Sequence, residues 1–80
     1  MISEEDKKAG AEANRLRMDP AFQLAMTEAR KGALEELASV EASDINTIMR
    51  LQAEIKAIDL IATNLATAII RATEPRKIAV

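Results

Sequence analysis

The residues able to do chemistry in this chain are carboxylates, a few hydroxyls and some basic groups, because the sequence holds no His, Cys, Tyr or Trp. Imidazole bases, thiol nucleophiles and zinc sites of soft ligands therefore have nothing to build on. Glu35 and Glu36 stand side by side as a candidate acid/base or metal pair. Neighbouring positions on a helix diverge by about 100°, so the two do not converge on one ligand and read as a solvated face. Glu28, Glu35 and Asp59 can meet across a hairpin, but no His or second acidic cluster joins them as a di-metal site would require. Neither Gly10 nor Gly32 has the alternating acidic neighbours of a calcium loop. Two separated glycines make no phosphate-binding loop. Ser3, Ser39 and Ser43 fit helix caps and helix ends. The expectation is no catalytic residue, no cofactor, no metal and no small-molecule substrate, hence no enzyme.

Asp59 stands out because it interrupts an apolar stretch. Lys56 lies three residues before it and Thr63 four after. The plain reading is an exposed Lys56–Asp59 pair along one helix. The sharper reading is a contact with Arg50 or Arg71 of another chain.

Charge argues against nucleic acid. Eleven basic and 13 acidic residues leave a net charge of -2, which gathers neither nucleic acid nor an anionic membrane. Phe22 is the sole aromatic residue, too little for a base-stacking platform. A helix-turn-helix around Asp19-Pro20 would present Glu28, Glu35, Glu36 and Glu41 against only Arg30 and Lys31, and such a face repels phosphate. A basic patch of Arg15, Arg17, Arg76 and Lys77 requires the chain ends to converge.

Helices must position whatever these residues do. Residues 1 to 18 are densely charged, with Leu16 and Met18 the main large apolar residues. They read as a flexible start over 1–8 and then a short or frayed helix from about Ala9 to Met18, either docked or a solvated arm. Gly10 weakens that helix. Asp19-Pro20 is a sharp start signal: Asp caps, and Pro is favoured in the first turn. From Pro20 the apolar residues Phe22, Met26, Ala29, Ala33, Leu37 and Val40 follow steps of three and four, one face of a helix over about 20–39. Leu24 and Leu34 widen that face, and Gly32 marks either a close crossing or a tolerated weak spot. Ser43 or Asp44 caps a third helix over about 44–73, which stops before Pro75. The short link between these two helices makes them antiparallel neighbours.

The third helix is the longest, roughly 45 Å for about 30 residues. Ile48, Leu51, Ile55, Ile58, Ala62, Leu65 and Ile69 repeat with heptad spacing, the pattern of a coiled-coil seam within or between chains. Leu60, Ile61 and Ile70 lie off the seam and are candidates for an outer contact. A helix apolar on most sides is buried on most sides. About ten of its residues outreach the second helix, so either the N-terminal segment or another chain covers them. The fold expected is all-α, one small domain: a helical hairpin with a short N-terminal helix and a flexible tail over 74–80, assembled into a bundle oligomer. The basic lead and apolar end of the tail, Arg76 to Val80, also suit a docking peptide. The stretch 57–70, broken by Asp59 and Asn64, is too short to span a bilayer. Met1 to Lys8 lacks the apolar run of a signal peptide. These two readings make the protein soluble and cytoplasmic.

The order of Met18-Asp19-Pro20-Ala21-Phe22, Glu28-Ala29-Arg30, Ser43-Asp44-Ile45-Asn46 and Leu51-Gln52-Ala53-Glu54-Ile55 resembles small helical proteins encoded among the structural and packaging genes of tailed phages. The resemblance covers roughly residues 11–70 and carries no functional residues with it. It implies a phage or prophage setting, in the host cytoplasm or with the virion. The leading expectation is a virion, packaging or assembly component acting through helix–helix contacts, with a homo-oligomer or a larger phage or host protein as partner. A small inhibitor of a host system, of the anti-CRISPR kind, and a nucleic-acid-binding regulator are the alternatives.

Overall fold

A computed structural model describes residues 1–74, and its regular structure is three helices: α1 Glu4–Met18, α2 Pro20–Ser39 and α3 Ile45–Thr73. Each begins on a side-chain cap. The Asp6 N–H donates to Ser3 Oγ at 3.0 Å, the Phe22 N–H to the Asp19 carboxylate at 3.0 Å, and the Thr47 N–H to the Asp44 carboxylate at 3.1 Å. Such caps satisfy donors that a helix start leaves open. Asp44, rather than Ser43, caps α3.

α1 corrects the expected N-terminus. It starts at Glu4, five residues before Ala9, so residues 4–8 are helical. Glu4, Glu5 and Asp6, which read as a solvated arm, form an acidic first turn that complements the positive end of the helix dipole. Asp19 ends α1 and begins α2. Its N–H donates to the Leu16 carbonyl at 3.1 Å while its carboxylate caps Phe22, and its ψ of 120° is the extended value favoured before proline. The Gln23 carboxamide donates to the Arg17 carbonyl at 2.7 Å and braces this one-residue corner. α3 ends at Thr73, and the Glu74 N–H closes its last turn on the Ile70 carbonyl. The expected tail lies, beyond Glu74, outside the described residues.

α2 runs antiparallel to α3. Arg30 meets Asp59 and Glu36 meets Arg50, so advancing along α2 means retreating along α3. α1 takes the C-terminal half of α3 that α2 does not reach. The contact is close: a Cβ built on Gly10 would collide with the Ala72 Cβ and stand 3.1 Å from the Ala68 carbonyl oxygen. Of the two readings of Gly32, the tolerated weak spot holds, and the close crossing falls at Gly10 instead. Gly10 permits the tight crossing, whereas nothing lies within 4 Å of a Cβ on Gly32.

The core is small. Leu51 is 0% exposed, and Gly10, Ala13 and Ala33 are the other buried residues of the described chain. The shape explains this. The Cα trace spans 13 Å in its thinnest direction, the depth of two helices in contact. Its radius of gyration is 16.9 Å, against about 11.6 Å for a compact domain of this length. The accessible surface is 6350 Å², against about 4,700 Å² for a compact monomer of 8.7 kDa. No helix of the described chain is long and apolar enough to cross a membrane.

Candidate protein interface

The heptad line of α3 is used within the protomer. Ile48, Ile55, Ile58, Leu65 and Ile69 are half-buried and Leu51 fully so, under α2 in the first half of the helix and α1 in the second. The facing residues are Phe22, Met26, Ala33 and Leu37 of α2 and Val40 just after it, all buried or half-buried, whereas Ala29, expected on this face, is exposed. Leu24 and Leu34, expected to widen that face, point away and are exposed. At Ala62 the seam opens. This alanine is exposed on a groove of about 240 Å³ between Arg17, Phe22, Met26 and Leu65, where α1 gives way to α2.

Ion pairs flank the α2–α3 contact. The Arg30 guanidinium forks onto Asp59, at 3.0 Å from Nε and 3.4 Å from the second nitrogen. Hydrogen bonding and the charge of Asp59 hold the Arg30 pKa above its ordinary value. Within the chain Asp59 therefore pairs with Arg30 of α2 rather than with Lys56. Arg50 donates to Glu36 and to Glu54, each at 2.7 Å, and these carboxylates raise its pKa. Glu36 therefore faces α3, while Glu35 lies 4.0 Å from Lys31 on its own helix. The neighbouring carboxylates diverge as their spacing requires. Among the described residues no three metal-ligating side chains converge.

The outer apolar residues do not form one patch. Leu60 is 57% exposed, Ile61 44% and Ile70 54%. At 100° per residue, Leu60 and Ile61 flank one line along α3, and Ile70 lies about 130° away from that line. Of the three candidates for an outer contact, Ile70 lies on a different side of α3 from Leu60 and Ile61. The line itself is Ala53, Ala57, Leu60, Ile61, Asn64 and Ala68, all within about 50° of one direction, opposite the α2 seam. Arg50 and Arg71 bound it at either end. Five of the six members are apolar; Ala68 lies at the Gly10 crossing with α1, and the other five are exposed. Asn64 is the polar exception, and its carboxamide has no hydrogen-bond partner among the described residues. Sequence reasoning noted Asn64 only as a break in an apolar run. Its spacing of seven, four and three from Ala57, Leu60 and Ile61 was the signal of a second stripe.

Compared with known proteins, the chain matches no family model, no curated protein and no solved structure.

Proposed function

We propose that this protein is a non-enzymatic helical assembly protein, which completes its fold by pairing the uncovered face of α3 with another helix. The observation that carries this reading is the exposure of Leu60 and Ile61 on a protomer no more than two helices deep. Large apolar groups on one face of a thin protomer favour association, because contact with a partner removes their apolar surface from water. With its resemblance to helical proteins of the phage structural and packaging region, the setting that suits it is a virion, packaging or assembly complex in the host cytoplasm. No observation favours the inhibitor or the nucleic-acid reading over this one.

Light scattering coupled to size-exclusion chromatography, over a hundredfold range of concentration, tests the proposal. A defined dimer or larger species is expected. A folded monomer at every concentration sinks self-assembly and gives the face to a different protein.

A further inference from the structure

We draw no further inference here: the strongest candidate, the apolar groove of Phe22, Met26, Ala62 and Leu65 beside Arg17 where α1 gives way to α2, carries nothing because nothing in the structure shows what covers it.

Discussion

Gly10 and Gly32 are the same residue type within helices, yet substitution is expected to have opposite signs. At Gly32 an added methyl meets open space, so Gly32→Ala gains the helix-propensity difference of about 1 kcal/mol. At Gly10 the methyl meets the Ala72 Cβ, which cannot rotate away, and α1 must shift. Overpacking of this kind costs about 1–3 kcal/mol, which exceeds the propensity gain. Urea midpoints at one protein concentration check the pair, and a stabilised Gly10→Ala would show that α1 does not cross α3 at this point. Leu51→Ala removes the one large side chain that is fully enclosed, at a cost of about 2–5 kcal/mol. A domain this small has little more than that in total, so the variant is expected to lose its cooperative thermal transition. Acid should act through the caps and local pairs. Hydrogen bonds from Thr47 hold the Asp44 carboxyl below its ordinary value, and hydrogen bonding from Arg15 does the same for Glu12. A depressed folded-state pKa contributes stability that is complete above the unfolded value and is lost as pH falls through the folded one. Stability is thus expected to hold from pH 7 to 5 and to fall below about pH 4. Asn also caps helices but does not titrate there. Asp44→Asn should therefore flatten the acid limb of the pH profile, and an unchanged limb would remove Asp44 as a cause.

At the scale of elements, the helices stand where short-range rules place them. Asp19-Pro20 and Asp44 mark their helix starts because capping involves residues three apart, and that information is local. The heptad line from Ile48 to Ile69 is legible for the same reason, as periodicity along one helix. Apart from the Ser3 cap that starts α1, an equally local signal, what escaped the sequence depends on a distant partner. The docking of α1 turns on Gly10 finding Ala68 and Ala72, and a densely charged segment gives no apolar run to announce it. The partner of Asp59 is 29 residues away on α2, and no spacing rule reaches that far. The outer face was half legible: Leu60 and Ile61 were visible as residues off the seam, but Ile70 was grouped with them without regard to angle. That face yields a separate prediction. Ile61 is partly exposed in the protomer, so Ile61→Asp should leave helical circular dichroism intact while shifting the scattering mass toward monomer. Collapse of the helical signal would instead place Ile61 in the protomer core.

The whole molecule ties stability to assembly. A compact domain encloses its core with a third element, whereas this one is two helices deep and fully encloses one large side chain. The unfolded chain loses conformational entropy along all its helices, and a single thin core offsets little of it. In the proposed assembly, association supplies part of the folding free energy, because a partner that binds only the folded form stabilises it by mass action. The melting temperature should therefore rise with protein concentration. For a protomer–dimer system each tenfold increase in concentration adds about 1.4 kcal/mol per dimer at saturation, or about 0.7 kcal/mol per chain. A domain of this size gains several degrees per kcal/mol, so roughly 3–5 °C per decade is expected. Small-angle scattering on the same samples should show mass doubling over the range in which the melting temperature climbs. A native melting temperature independent of concentration across two decades would mean that the thin protomer is stable alone, and that its uncovered face is not needed to hold the fold together.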